Sequence, residues 1–340
     1  TGTGDELEAL RRALLEETGP AEESPAPEAE HAPPRVHGAG EDVHHHHHHH
    51  HGGGEGAERT PVSFAAAARF FALQLALLAV VLVLHTYIGL HVVRRVLVFS
   101  DLVLDQLAAF GALVGIGIGV AYGTPASYLL ALGAVLLGAL LLAVIRPKSR
   151  ALPREAVIGV MYALALVACL LLADKLSGGD AHVAKTLSGS IEWVSWKLVA
   201  VTAAVYVGLL VFHYFLRAKF IAIAEGTAPV GGERLWDFLF FATQGIITVL
   251  IVPVAGVLLA YSFLMIPAAI AAMFTRGWGR ALALGWGLGF GACAAGLTAS
   301  FFLDLPYGPS LVLALGVVFV VALLVRALRR AGSAAGEGAA

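Results

Sequence analysis

After Pro61 the chain is a succession of apolar runs separated by short polar breaks. The runs fall at 68–93, 102–122, 127–145, 155–173, 194–215, 236–252, 254–274, 281–302 and 310–326. An α-helix rises ~1.5 Å per residue, so roughly 20 apolar residues cross ~30 Å of hydrocarbon. Each run therefore predicts a membrane-spanning helix. The sixth and seventh are parted only by residues 253–256, Pro-Val-Ala-Gly. They read as two spans, or as one long span followed by a shorter broken helix, which leaves eight or nine crossings. The pattern ahead of the first run is different. Residues 5–18 place Leu7, Leu10, Leu14 and Leu15 on one stripe and predict a short amphipathic helix. A Pro/Glu/Ala stretch follows that cannot bury a core. The fold class expected is all-α: a polytopic transmembrane helix bundle of about eight to nine spans behind a disordered tail, 1–63, with a flexible C-terminal segment at 331–340.

Composition agrees with that pattern. Hydrophobic residues make up 58% of the chain, charged residues 14%, and the mean hydropathy is +0.80. Soluble domains carry about 25% charged residues. The net charge of −2 conceals an asymmetry. Residues 1–63 hold 13 acidic and 4 basic side chains, whereas the remainder holds 11 acidic and 18 basic. The basic residues recur in alternate loops: Arg94 and Arg95; Arg146, Lys148, Arg150 and Arg154; Arg217, Lys219 and Arg234; Arg276 and Arg280; then Arg326, Arg329 and Arg330. The intervening loops are poor in them. Lys and Arg gather on the cytoplasmic side, so this alternation places the C-terminus inside and the N-terminal tail outside. Cys169 and Cys293 are the only cysteines, each within an apolar run, and make no disulfide framework.

Candidate chemistry is sparse. There is no phosphate loop, no His-Glu-x-x-His zinc helix and no catalytic constellation, so the chain reads as a non-enzyme. Nothing in it points to nucleic acid. Eight consecutive histidines, His44, His45, His46, His47, His48, His49, His50 and His51, form the strongest chemical signal. Imidazole is the commonest transition-metal ligand, and a flexible run of it binds metal loosely and exchanges fast. An affinity tag or a neutral expansion is the rival reading; acidic flanks and the nearby His31 and His37 favour a native feature. Within the spans, Asp101 and Asp105 stand i, i+4 at the start of the second run, followed by Gln106. That spacing stacks both carboxylates on one helix face. Intramembrane charge is expensive and marks ion pathways; the bland alternative for Asp101 is a helix cap. His85 joins the pathway candidates. His91 and His213 read as packed histidines, Arg69 and Lys197 as snorkelling ends, and His182 and Glu192 as outer-loop residues. In the run opened by Gly256, Tyr261, Ser262 and Met265 have ligand or hydrogen-bonding capacity. Pro267 is expected to break that helix near the inner face.

Three stretches carry a family resemblance. One is Gly89-Leu-His-Val-Val-Arg94-Arg95, leading through Phe99 to Asp101 and Gly111. The second is Arg154-Glu155-Ala-Val-Ile-Gly159, and the third is 256–272; Gly296 and Tyr307-Gly308-Pro309 follow in order. Over about 68–326 the chain resembles the membrane permease subunits of ABC importers for zinc, manganese and iron, which makes 64–330 a permease domain. It departs at the second span, where family members often read Gly-Asp-x-x-Ser-His-Ala-x-x-Pro-Gly. Aligned on Gly111, Gln106 takes the His place, Asp105 the Ser place and Leu102 the Asp place. Asp101 and Asp105 restore an i, i+4 pair shifted by one residue, about 100° around the helix.

The resemblance implies a permease homodimer in the inner membrane, driven by a separate ABC ATPase on the cytoplasmic side and supplied by an extracytoplasmic metal-binding protein. A divalent metal, zinc first and manganese or iron next, would be its cargo, moved by alternating access. Asp101, Asp105, Gln106, His85, Tyr261, Ser262 and Met265 would line the pathway. Pro267, Ala268, Ala271, Thr275, Arg276 and Arg280 would couple to the ATPase. The competing readings are an ATP-independent divalent-cation carrier with a histidine-rich tail, for which no span histidine has the His-x-x-x-Asp partner expected, and a membrane scaffold or receptor.

Overall fold

The computed structural model describes residues 64–147, 151–189, 194–227 and 230–337. The expected amphipathic helix, the histidine run and Glu192 lie outside the described residues. Ala68–Ala340 forms one compact unit. Among the described residues every regular element is helical: α1 (Phe64–Arg95), α2 (Val98–Gly117), α3 (Pro125–Val144), α4 (Arg154–Asp174), α5 (Gly179–Ser188), α6 (Trp196–Phe215), α7 (Arg217–Glu225), α8 (Glu233–Phe274), α9 (Trp278–Leu303) and α10 (Tyr307–Glu337). Eight of these are long and apolar enough to cross a membrane; α5 and α7 are short connectors.

The helix starts have local causes. Thr124 accepts a bond from Ser127 N–H, and Pro125 at the first helical position of α3 needs no donor of its own. Ser195 does the same for α6, accepting from Leu198 N–H at 3.1 Å. The start of α2 is satisfied from another helix, where Glu155 of α4 accepts the Phe99 N–H at 2.8 Å. Asp101 therefore does not cap α2; it lies inside the first turn.

The element for which the sequence leaves two alternatives is α8. Residues 253–256 form no extended loop; within the 42 residues of α8 two helices abut at Gly256, whose backbone is non-helical (φ 75°, ψ 164°). A straight helix of that length would reach about 63 Å, twice a hydrocarbon core. It is not straight. Arg95 at the end of α1 pairs with Asp237 near the start of α8. The neighbouring Arg94 donates to the carbonyl of Arg276, just past the end of α8, at 2.9 Å. Both ends of α8 thus meet the same end of α1, so the chain doubles back at Gly256 into two antiparallel passes, α8a and α8b. Only glycine readily adopts that backbone, and a Cβ there would collide with Gly189 N and Leu187 O of the segment closing α5. The eight long helices accordingly make nine passes.

Pro267 does not break the helix, contrary to the sequence reading. It sits within α8b, which continues to Phe274. Proline is tolerated in membrane helices where neighbours re-satisfy the backbone. Here its ring lies against Gly289, and its carbonyl faces Gly285, of α9. The turn that follows the helix is therefore confined to 275–277, and Ala268 and Ala271 are fully buried helix residues. Small residues also let α1 and α8b approach closely: a Cβ on Gly89 would overlap the Leu264 carbonyl. Leucine and valine side chains of α3, α4, α6 and α10 point outward, as lipid-facing surfaces do.

Candidate functional site

Two buried acidic constellations involve α8a, one packed against it and one on it, and they differ in kind. The first is the pair foreseen on α2. Asp101 and Asp105 are both inaccessible (2% and 0%) and face α8a. Gln244 Nε2–H donates to Asp101 Oδ1 at 2.9 Å, and Thr248 Oγ1–H donates to Asp105 Oδ1 at 2.9 Å. Ser100 Oγ–H donates to the Leu97 carbonyl at 2.6 Å, and the same hydroxyl lies 3.3 Å from Gln244 Oε1. An i, i+4 pair on one helix thus meets an i, i+4 pair on the other, rung for rung. Both partners are neutral. Among the described residues neither carboxylate takes part in an ion pair, and Asp105 Oδ2 has no hydrogen-bond partner. The neighbouring Gln106 is buried with an unpartnered Nε2, while its backbone carbonyl accepts from Cys169 Sγ at 3.3 Å.

His85 of α1 comes to the same region through Tyr206 of α6. His85 Nδ1–H donates to the Val81 carbonyl at 3.0 Å, which leaves Nε2 with the free lone pair of the neutral ring. This is the orientation by which proteins present a ligating imidazole. The Tyr206 hydroxyl lies 3.4 Å from His85 Nδ1 and donates to the Ile247 carbonyl at 3.4 Å. Ile247 directly precedes Thr248, the partner of Asp105. Of the other pathway candidates, Ser262 is buried but spends its hydroxyl on the Leu258 carbonyl, and Tyr261 and Met265 are half-buried on α8b. The structure therefore gathers His85, Asp101 and Asp105 about Gln244, Thr248 and Tyr206, three residues the sequence reading missed. Gln244 and Thr248 were findable, because their spacing copies that of the aspartates. Among the described residues no group of three or more His, Cys, Asp or Glu side chains converges as a metal site.

The second constellation lies where α8a begins. Asp237, 1% exposed, is met by Arg95 of α1, by Arg154 of α4 at 2.9 Å and by Arg146, after α3, at 3.5 Å. Arg146 also pairs with Glu233 at 2.6 Å. At the same end of the bundle, Arg276 and Arg280 are exposed, and Thr275 Oγ1–H returns to the Ala271 carbonyl.

Residues 66–326 match the ABC 3 transport family. An uncharacterized membrane protein of Synechocystis is 28% identical over 176 residues, 51% of this chain and 63% of that protein. A probable metal transport system membrane protein of Chlamydia muridarum is 23% identical over 51% of this chain and 60% of its own length, and one of Chlamydia pneumoniae is 24% identical over 72% and 83%. The chain thus spans about 60% of the length of the first two relatives. The structure of PsaBC from Streptococcus pneumoniae in complex with Fab shares the fold, with a TM-score of 0.60 at 19% identity, over 75% of this chain and 95% of that one. With 66–326 matched from the first helix to the last, the chain belongs to the ABC 3 transport family, the permease family that its sequence resembles.

Proposed function

We propose that this chain is the membrane-spanning permease subunit of an ATP-driven importer for a divalent metal ion. The observation that carries the reading is the aspartate pair of α2: two carboxylates buried among neutral donors, in a fold with guanidinium groups available elsewhere. Buried charge is tolerated only when it is paired or coordinates a cation. A passing divalent ion supplies the missing positive charge. The relatives named as probable metal transport proteins support that cargo. Zinc, manganese and iron all accept carboxylate and imidazole ligands, and the shift from Asp/His to Asp/Asp enriches the oxygen donors. The Arg-rich end, by the positive-inside bias, is the cytoplasmic face and docks an ABC ATPase at 275–280. The opposite end receives metal from an external binding protein, and two copies assemble around the pathway. The histidine run serves as an outer antenna, so its deletion lowers uptake only when metal is scarce.

The deciding measurement is uptake of zinc, manganese and iron into vesicles carrying the chain with its cognate ATPase. ATP-dependent uptake of one of them is expected, abolished when Asp101→Asn and Asp105→Asn are combined. Undiminished uptake by the double variant would sink the pathway assignment. Uptake without the ATPase would favour a self-sufficient carrier.

A further inference from the structure

Arg94 is an ordinary end-of-span arginine in the sequence, yet it makes three different contacts. Its Nη2–H donates to the Arg276 carbonyl at 2.9 Å. Its guanidinium lies over the Trp278 indole at 4.1 Å. Its Nη1 lies 3.6 Å from Glu225 Oε1, the same oxygen that accepts the Trp278 Nε1–H at 2.9 Å. One side chain thus joins the end of α1, the end of α7, the 275–277 turn and the start of α9. A planar guanidinium can stack through its face and donate through its edge at once; an ammonium cannot.

The next residue points elsewhere. Arg95 pairs with Asp237, which Arg154 and Arg146 also hold. Adjacent arginines therefore grip the two ends of α8: Arg95 holds the start within a multiply bonded knot, and Arg94 holds the exit by a single carbonyl and a stacked ring. The Arg94 grip is the more exposed of the two, with side chains 18% and 40% accessible against 8% and 1%. From Arg94, α1 runs unbroken for about 13 Å to His85.

We propose that Arg94 is the positioning residue through which displacement of the 275–280 turn and α7 tilts α1 and so reaches the His85–Asp101–Asp105 site, with the Asp237 knot at the adjacent Arg95 as the pivot. This rests on the importer reading above. The test uses the full chain with its ATPase in vesicles and reads metal transported per ATP hydrolysed. Coupling free energies of the usual size predict a fall of about 5-fold or more in that ratio for Arg94→Ala. Arg94→Lys should not restore it. Trp278→Phe, which keeps a ring but loses the bond to Glu225, should fall between Arg94→Ala and the parent. A wild-type ratio in Arg94→Ala overturns the assignment. Should that variant not accumulate as folded protein, an unchanged ratio in Trp278→Phe overturns it instead. If the parent chain moves no metal in the same vesicles, the importer reading itself fails; a coupled parent beside a fully coupled Arg94→Ala strikes only the role of Arg94.

Discussion

Asp237 and Asp105 are both buried aspartates tied to α8a, and their surroundings are opposites. Asp237 accepts from guanidinium groups contributed by three separate parts of the chain, so its charge is neutralised by the protein itself. Asp105 receives one hydroxyl and keeps its second oxygen unpartnered. A carboxylate whose counter-charge is built in acts as a fastener. One that is given only neutral donors is held in place but left electrostatically incomplete, which suits it to a charge that arrives and departs. Asp237 and Thr248, the partner of Asp105, lie on the same helix about three turns apart, so one element serves both sites.

Substitution should separate the two sharply. Asp237→Ala is expected to have the largest effect, leaving guanidinium groups without their partner and costing about 3–5 kcal/mol; the fall should appear in thermal unfolding of the purified chain in detergent. Asp105→Asn should move stability little, or upward, while metal uptake is lost, because the amide keeps the shape and removes an uncompensated charge. Equal destabilisation by the two variants would mean that the two aspartates play the same structural part. Thr248→Val should be the mildest. It deletes the one hydroxyl orienting Asp105, a contribution of about 1 kcal/mol, and so weakens metal affinity by around fivefold. A double-mutant cycle between Thr248 and Asp105 that shows no coupling would argue that the rung is incidental.

Much of this architecture can be read from residue pattern, and the misses have physical reasons. Runs of about 20 apolar residues announce spans because the bilayer imposes length as well as polarity. The boundary at 253–256 is visible through its proline and glycine, and the backbone reverses there at the single non-helical residue Gly256. Pro267 was misread as a breaker because a proline's consequence depends on its neighbours, here the glycines of α9. The helices α5 and α7 are too short and mixed in character to stand out from loops. Asp101 and Asp105 are conspicuous as charges in an apolar run, but their meaning comes from Gln244 and Thr248, some 140 residues later in the chain. Asp237 carries no mark in the sequence beyond its place at the start of an apolar run. Its role emerges only when the ends of α1, α3 and α4 are brought around it.

The reversal at Gly256 also sets the parity of the chain. The start of α1 packs near the end of α9, through Phe70 and Phe71 against Phe301, whereas the end of α10 meets the end of α8b, through Arg329 over Phe274. An odd number of passes leaves the start of α1 and the end of α10 at opposite ends of the bundle. Were Gly256 straightened so that α8 crossed once, the count would be even, and α9, the 275–277 turn and the C-terminus would all be inverted relative to α1. A single glycine torsion thus acts as a topological sign, and reporters fused to either end would read that sign directly.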